Sequence, residues 1–466
     1  MYFTTFFLLA TAHVVFAKVQ FLGVAIAGGD FGCQIDGTCS LGSTQLPLSN
    51  DGVSQMQHFV EDDGVNILRL PISWQFLVNN QLGKPLDSKN LAQYDQLMEN
   101  CLATGAHCMI DIHNFARWNG GIIGQGGPTD DEFVSLWSQL ASKYADNDKV
   151  VFELMNEPHD LDVGIWANTC QKVVTAIRKA GATSQMILLP GSNFDSAANL
   201  TESGGAEQLL DIKNPDGTTN NLLLDIHKYL DEDNSGTHTQ CTTDNADAFT
   251  TVASFLREKG RKGFISETGA SQDESCITAF CSQNTLINKN SDVFVGLVAW
   301  GAGSFDTSYV MSLTPSKKNG GLVDNQLMSQ CLVATWVDST GAVAEDPKPS
   351  TPSSASLATT TPTTTATKTS VSGSARASEP VITVQINSDT SVITTSPETS
   401  APTTLLIVTG SPSDESYSIA LAKPTTTNSP TQTQTQAPTN ATPTGSASSV
   451  HISVAIWGFV LLSLIL

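Results

Sequence analysis

Short apolar segments recur along the first two thirds of the chain and have the pattern of buried β-strands. Eight of them lie at intervals of about 30 to 45 residues, at 20–27, 65–70, 107–113, 150–155, 185–190, 221–227, 263–266 and 293–300. The stretches between them place apolar residues three and four positions apart, which predicts amphipathic helices. Such stretches are found at 87–104, 130–144, 163–180 and 246–259. The chain therefore alternates strands with helices.

This alternation predicts an α/β fold with parallel strands, because a parallel pair needs a crossover of a dozen or more residues. Eight such units fit a single (β/α)8 barrel, which we expect over residues 18–340. The alternative is a doubly wound sheet, which normally carries a glycine-rich nucleotide-binding turn after its first strand. Residues 28–32 (GGDFG) are the candidate, but they lack the GxGxxG order and precede a cysteine-containing loop. The barrel is favoured.

Composition separates this domain from the rest of the 466-residue chain. From about residue 343 to 450 the sequence is dominated by Ser, Thr, Pro and Ala, which cannot build a hydrophobic core. We expect a disordered, O-glycosylated stalk over 341–440. The formal net charge is −22, which disfavours nucleic acid and anionic membrane surfaces as partners.

The N-terminal segment predicts secretion. Residues 1–17 are mostly apolar and end on the small residue Ala17, as in a signal peptide. The nine cysteines would then lie in an oxidising compartment. Their spacing has no metal-type repeat, so structural disulfides are favoured over zinc, and the odd count leaves at least one thiol unpaired.

The C-terminal segment resembles a signal for a glycosylphosphatidylinositol (GPI) anchor. Residues 451–466 form an apolar tail that is short for a membrane span and is followed by no basic residue. Asn440, Ala441 and Thr442 are small, and a polar spacer separates them from the tail. We expect 441–466 to be removed and the protein to be held at the plasma membrane or cell wall. Residues 445–447 are a second candidate attachment site, and a weak membrane anchor or a cryptic hydrophobic end is the alternative.

Eight residues whose side chains could act in catalysis or binding lie at the ends of predicted strands. They are Arg69, His113, Asn156, Glu157, His227, Tyr229, Glu267 and Trp300. In a barrel the carboxyl ends of the strands meet on one face, where active sites lie. Glu157, before Pro158, ends the fourth segment, and Glu267 ends the seventh. Cleavage of a glycosidic bond needs such a pair of carboxyl groups, although each alone would be compatible with an ordinary loop charge.

With these motifs the sequence resembles glycoside hydrolase family 5, specifically its secreted fungal endo-β-1,4-glucanases. The resemblance covers about 20–332. It rests on residues 31–33 (FGC), 55–59 (QMQHF), 69–71 (RLP), 111–114 (DIHN), 118–128 (WNGGIIGQGGP), 156–159 (NEPH), 227–229 (HKY), 266–269 (SETG) and 300–305 (WGAGSF). The segment 118–128 is the most specific of these motifs and favours the cellulases.

The resemblance implies a role for each of these residues. Glu157 is expected as general acid/base and Glu267 as nucleophile, with Arg69 and Tyr229 donating hydrogen bonds that favour ionised Glu267 and lower its pKa. Asn156 is expected to hold the sugar 2-hydroxyl. The remaining site residues are expected to line the site, with an aromatic face offered to a sugar ring, and they are His113, His227 and Trp300.

Structural roles remain open for several of these side chains. Arg69 is also a possible buried partner of Asp111 or Asp225, and the two histidines could support the site without touching substrate. Trp300 could be a core residue, and packing is as plausible as sugar binding for Trp74 and Trp118.

The resemblance also implies four disulfides, Cys33–Cys39, Cys101–Cys108, Cys241–Cys276 and Cys281–Cys331, with Cys170 as a buried free thiol. Retaining glycosidase chemistry needs no metal or cofactor, and we expect none. Asn199 begins an N-glycosylation sequon, and a monomer is expected. The alternatives to a β-1,4-glucanase are a wall-remodelling β-1,3-glucanase or β-mannanase of the same clan, and a non-catalytic carbohydrate-binding surface protein.

Overall fold

Eight parallel strands close into a barrel. In this computed structural model the described residues are 18–48, 51–201 and 205–338, together with three short strands farther along the chain. The barrel strands are Phe21–Ala27, Ile67–Ile72, His107–Ile112, Val150–Glu153, Ile187–Leu189, Leu222–Tyr229, Gly263–Gly269 and Phe294–Gly303. Each pairs with its neighbours in chain order, and the eighth pairs with the first. The predicted (β/α)8 barrel is confirmed.

Helices lie between the strands along the chain and surround them. They span Gly52–Glu61, Trp74–Leu77, Ser88–Ala103, Asp130–Tyr144, Val163–Lys179, Gly205–Leu210, Ala246–Lys259, Glu274–Lys289 and Thr335–Asp338, with a π-helix at Leu327–Ala334 and a 3-10 turn at Leu41–Ser43. Two hairpins pair Arg117–Trp118 with Gly121–Ile122 and Ser316–Lys318 with Gly321–Val323. The four helices named from the sequence are confirmed to within one residue at each end.

The strand side chains divide into two buried clusters. One cluster contains helix residues and lies between the strands and the surrounding helices. The other contains no helix residue and fills the barrel, with Met109, Val151 and Phe264 among its members. Gly296 makes room for this interior, because a Cβ there would meet the Phe264 ring at 2.2 Å. The apolar interior gives way to polar side chains toward the carboxyl ends of the strands.

The four disulfides that the resemblance implied are all present, and Cys170 is a buried free thiol. Two of the bonds fasten the end of the domain: Cys241–Cys276 joins the loop after the sixth strand to the helix Glu274–Lys289, and Cys281–Cys331 joins that helix to the π-helix. Trp74 is 1% exposed and packs edge-on against Trp118, so it is a core residue.

The chain divides into two units, 1–350 and 351–466. In the second unit the strands Val392–Ile393, Leu406–Thr409 and Ser418–Leu421 pair antiparallel. The predicted signal peptide, the anchor signal and the rest of the predicted stalk lie outside the described residues. None of the helices that the structure describes combines the length and apolar character needed to cross a membrane.

Candidate active site

Seven of the eight residues singled out from the sequence lie toward or just beyond the carboxyl ends of the barrel strands, and Arg69 lies within its strand and contacts Glu267 and Asn156 among them. Arg69 belongs to the second strand, His227 and Tyr229 to the sixth, Glu267 to the seventh and Trp300 to the eighth. His113 directly follows the third strand, and Asn156 and Glu157 lie three and four residues beyond the end of the fourth strand at Glu153. Hydrogen bonds and ring contacts link all eight into one site.

Glu267 is surrounded by hydrogen-bond donors. Arg69 Nη1 donates to its Oε2 at 2.5 Å, and the Tyr229 hydroxyl donates to its Oε1 at 2.7 Å. Burial alone would raise the pKa of Glu267, but the positive charges of Arg69, His227 and His113 outweigh it and lower that pKa to about 2. The carboxylate is therefore ionised at any ordinary working pH.

Arg69 holds more than one carboxylate. It is fully buried, and its Nε and Nη2 form a fork on Glu153 at 2.7 and 2.5 Å, while Nη2 also lies 2.9 Å from Asp111 Oδ2. Burial opposes its charge, but these carboxylates and Glu267 raise the pKa of Arg69. The predicted contact with Asp111 is confirmed. Asp225, the other suggested partner, accepts a hydrogen bond from Ser266 instead.

Glu157 lies in a different environment. Its side chain is 18% exposed, compared with 7% for Glu267, and its Oε1 is 3.0 Å from His227 Nδ1. Its backbone has φ of 45°, which is rare for a residue with a side chain, and its N–H donates to Asp195 Oδ2 at 3.2 Å. One carboxylate oxygen of Glu157 and one of Glu267 lie within 4.8 Å of each other. The two carboxyl groups thus face the same small space.

Trp300 and His113 pack against each other. Their rings stack at 5.6 Å between centroids with an interplanar angle of 17°. His113 Nδ1 is 2.7 Å from Asp111 Oδ2, and Trp300 Nε1 donates to the Tyr309 hydroxyl at 3.1 Å. Trp300 is 7% exposed, so most of its side chain packs against other residues while part of it lines the site.

Three polar residues of the site were not identified from the sequence. Glu153 was treated as part of a hydrophobic strand, although a charge within a fully buried strand indicates a paired interior group. The Ser266 hydroxyl lies within hydrogen-bond distance of the His227 ring, and Asp195 accepts the backbone N–H of Glu157. For Asp195 the sequence carries no signal, because it lies in a loop beyond the fifth strand.

Two groups of potential metal ligands occur in this site among the described residues, Glu153–Asp225–His227 and Glu157–His227–Glu267. In both, His227 already bonds its two ring nitrogens to Ser266 and Glu157. The absence of a cofactor remains a prediction.

Comparisons with known proteins agree with this geometry. A family model described as cellulase (glycosyl hydrolase family 5) matches residues 31–303. Endoglucanase EG-II of Hypocrea jecorina is 55% identical over 323 residues, which cover 67% of this chain and 77% of that protein. Endoglucanase 1 of Saitozyma flava is 48% identical over 307 residues, 66% of this chain and 86% of that one. The crystal structure of Cel5A (EG2) from Hypocrea jecorina superposes with a TM-score of 0.67 at 54% identity, covering 68% of this chain and 98% of that one.

Proposed function

The chain belongs to glycosyl hydrolase family 5, and from this premise we propose that it is a retaining endo-β-1,4-glucanase that hydrolyses internal bonds of cellulose and related β-glucans. The observation that carries the proposal is the pair Glu157 and Glu267, with an oxygen of each within 4.8 Å of the other. A retaining pair lies about 5 to 5.5 Å apart, whereas an inverting pair needs roughly 6.5 to 9.5 Å to admit a water molecule.

The different surroundings of the two carboxyl groups support different roles. Glu267, ionised and held by Arg69 and Tyr229, attacks the anomeric carbon, and the bond to the leaving oxygen breaks. Glu157 gives its proton to that oxygen. In the second half-reaction Glu157 takes a proton from water, and the water oxygen displaces Glu267 from the anomeric carbon.

Two further side chains, Asn156 and Trp300, are assigned contacts with the substrate. Asn156 Oδ1 accepts from Arg69 Nη2 at 2.8 Å, which fixes the amide, while its buried Nδ2 has no protein partner. We assign this N–H to the sugar 2-hydroxyl, where a hydrogen bond strengthens in the transition state. Trp300 offers its ring face to a sugar, and His113 keeps that ring in place.

Hydrolysis assays test the activity and its main alternatives. We expect release of reducing ends from a soluble cellulose derivative to exceed release from laminarin or mannan. Glu157→Gln and Glu267→Gln should each remove most of this activity, whereas Glu99→Gln on an exposed helix position should not. Preferred cleavage of laminarin or mannan favours the wall-remodelling alternative, and no cleavage of any of them favours a binding protein.

The stereochemistry is tested separately. Proton NMR should detect the β-anomer first during hydrolysis of cellopentaose, and azide should restore turnover to Glu267→Ala with formation of an α-glycosyl azide. Release of the α-anomer first by the wild type is incompatible with a retaining mechanism.

For location, we propose a secreted, monomeric enzyme held at the cell surface by a GPI anchor on Asn440. The support is the sequence of the terminal segments, with residues 1–17 as signal peptide and 441–466 as the removed anchor signal. A phosphatidylinositol-specific phospholipase should release active enzyme from membranes, and truncation after Ser449 should send it into the medium. Recovery of freely secreted protein that retains Leu466 contradicts the anchor.

A further inference from the structure

A histidine and three aspartates meet on the outer side of the barrel. His58 lies in the last turn of the helix Gly52–Glu61, and Asp62 and Asp63 follow that helix directly. Asp324 lies between the second hairpin and the π-helix, 266 residues farther along the chain than His58. The fold therefore brings together side chains from two distant segments, and the catalytic roles assigned above use none of them.

Three carboxylates surround the His58 ring. Its Nε2 is 3.1 Å from Asp324 Oδ1 and 3.8 Å from Asp63 Oδ2, and its Nδ1 is 2.7 Å from Asp62 Oδ2. The side chains of His58, Asp63 and Asp324 are 9%, 12% and 13% exposed, whereas that of Asp62 is 69% exposed. One donor atom from each of the three enclosed residues lies within 4.8 Å of the other two. Asp62 thus lies at the rim of a largely buried group.

Negative charge exceeds positive charge in this group. Among the described residues, no Lys or Arg forms an ion pair with Asp62, Asp63 or Asp324, and each of these carboxylates pairs with His58 alone. In addition, the Oδ2 atom of Asp63 is buried and has no hydrogen-bond partner. Buried polar atoms are normally paired, and a buried carboxylate needs a compensating charge. A bound cation, or a proton shared by Asp63 and Asp324, meets this need.

We propose that His58, Asp63 and Asp324 bind a divalent transition-metal cation such as Mn²⁺. The ligand atoms are Nε2 of His58, Oδ2 of Asp63 and Oδ1 of Asp324, and water molecules complete the coordination. A proton present on Nε2 leaves to solvent as the nitrogen lone pair bonds to the metal, and no group is oxidised or reduced.

The distances and the partner of the ring suit this ligand set. Two ligand atoms at right angles, each about 2.2 Å from a metal, are about 3.1 Å apart, which matches His58 Nε2 and Asp324 Oδ1. Asp63 Oδ2 is somewhat farther away, and a small rotation of its carboxylate brings it to the same spacing. Asp62 accepts the Nδ1–H of His58, which directs the Nε2 lone pair toward the other two carboxylates.

The mixed nitrogen and oxygen donors favour one class of cation. Imidazole suits first-row transition metals, carboxylates suit Mn²⁺, and Mg²⁺ and Ca²⁺ are bound mainly by oxygen. A single imidazole with two carboxylates therefore fits Mn²⁺ better than Ca²⁺.

The position of the group indicates a structural cation. Asp63 lies four residues before the second strand begins at Ile67, so the group is near the amino end of that strand, opposite the active site. The cation links the helix Gly52–Glu61 to the segment that follows the eighth strand. An ion pair of Lys317 with Asp51 already joins the hairpin to the start of the same helix. The cation therefore stabilises the fold and takes no part in bond cleavage.

Titration of chelator-treated protein with MnCl₂ near pH 7.5 tests the site. The electron paramagnetic resonance signal of free Mn²⁺ is lost on binding, so it counts bound cations. We expect one saturable site in the wild type, weakened more than about a hundredfold in Asp324→Asn and about tenfold in Asp62→Asn. His238→Gln is the matched control, because His238 belongs to another histidine–aspartate group, with Asp231 and Asp233, and its affinity should match that of the wild type.

Calorimetry separates loss of binding from damage to the fold. Mn²⁺ at about a hundredfold above its Kd should raise the Tm of the wild type by about 3 to 6 °C and that of Asp324→Asn by less than about 1 °C. Without cation, Asp324→Asn should melt no lower than the wild type, because it removes one of two facing buried charges. Asp63→Asn is a second variant and should behave in the same way.

Three results overturn the proposal. They are no saturable binding of Mn²⁺ by the wild type, equal affinity in the wild type and Asp324→Asn, and loss of the bound cation in Glu157→Gln, which would place it in the active site. The first of these means that a shared proton compensates the charge of Asp63 and Asp324.

Discussion

Glu157 and Glu267 face one space but differ in burial and partners, and this difference supports the separate roles proposed for them. Glu267 receives hydrogen bonds from a guanidinium and a phenol, which stabilise its charged form. Glu157 is more exposed and contacts a single histidine. The proposed reaction needs one charged nucleophile and one proton donor, and two glutamates in different surroundings can serve as this pair.

Tyr229→Phe should lower the activity and change its pH dependence. It removes the hydroxyl that donates to Glu267 at 2.7 Å, so the pKa of Glu267 should rise from about 2. Because Glu267 must be ionised to attack, the acid limb of kcat/KM should move to higher pH. The plateau should fall about tenfold to a hundredfold, the range for a hydrogen bond to a charged group.

Tyr144→Phe is the matched control, since its hydroxyl donates to Asp95 in the outer layer at 3.2 Å. Its pH profile and activity should match those of the wild type. An unchanged acid limb in Tyr229→Phe would show that this hydroxyl does not control the ionisation of Glu267.

Arg69→Met should damage stability as well as activity. The substitution leaves the buried carboxylates of Glu153, Asp111 and Glu267 without their shared cation. Breaking a buried ion pair from one side costs about 3 to 5 kcal/mol, measurable as the free energy of unfolding in guanidinium chloride.

Adding Glu153→Gln to Arg69→Met separates the two effects. Removing the unpaired charge of Glu153 should restore part of the stability, but activity should stay low because Glu267 still lacks the Arg69 guanidinium. If Arg69→Met unfolds at the same denaturant concentration as wild type, the buried network contributes little to folding.

At the scale of elements, the strands were predictable because their signal is local. Each is a short apolar run, most have a polar residue at or near the carboxyl end, and every predicted strand is present with end shifts of at most three residues. Residues that act across the barrel were less predictable. For Glu153 the sequence shows a charge within a buried strand but not that Arg69 is its partner, and the bulge between Ile265 and Glu267 leaves no mark in the sequence.

The disulfides differ in how much chain they enclose. Cys281–Cys331 closes a separation of 50 residues and Cys33–Cys39 one of 6. If restriction of the unfolded chain is the main effect, the first contributes about 4 kcal/mol and the second about 2.

Paired Cys→Ala variants of each disulfide should therefore lower the free energy of unfolding by these amounts, measured in guanidinium chloride under non-reducing conditions. A larger loss from Cys33–Cys39 would indicate that local native contacts outweigh loop closure.

At the scale of the whole molecule, the barrel interior holds more acids than bases. Burial raises the pKa of Asp195 and raises that of Asp225 to about 6, despite the opposing effect of nearby cations. On the outer side, burial and the nearby Asp324 raise the pKa of Asp63 to about 7. The folded protein therefore binds more protons than the unfolded chain at mildly acidic pH.

This excess of bound protons predicts that stability falls as pH rises. A carboxyl group whose pKa is raised on folding contributes its full stability below its unfolded value, about 4, and loses it as pH passes the folded value. His227, raised to about 10, contributes below its unfolded value of about 6.5 and loses this as pH rises toward 10. The pKa of Glu267 is instead lowered on folding, so its contribution to stability is present above the unfolded value and is lost only as pH falls from about 4 to about 2. These directions combine to place the stability maximum near pH 4 to 5.

Calorimetric Tm should accordingly be highest near pH 4 to 5 and decline steadily up to pH 9. Asp63→Asn tests one contribution by itself, because Asp63 lies outside the active site, against Asp324 and His58. With an uncharged amide there, the decline between pH 4 and 7 should be shallower than in the wild type, while an exposed change such as Asp211→Asn should leave the slope unaltered. A wild-type Tm that rises from pH 5 to 8 would mean that the cations of the barrel, above all Arg69, keep the buried carboxylates ionised in the folded protein throughout this range.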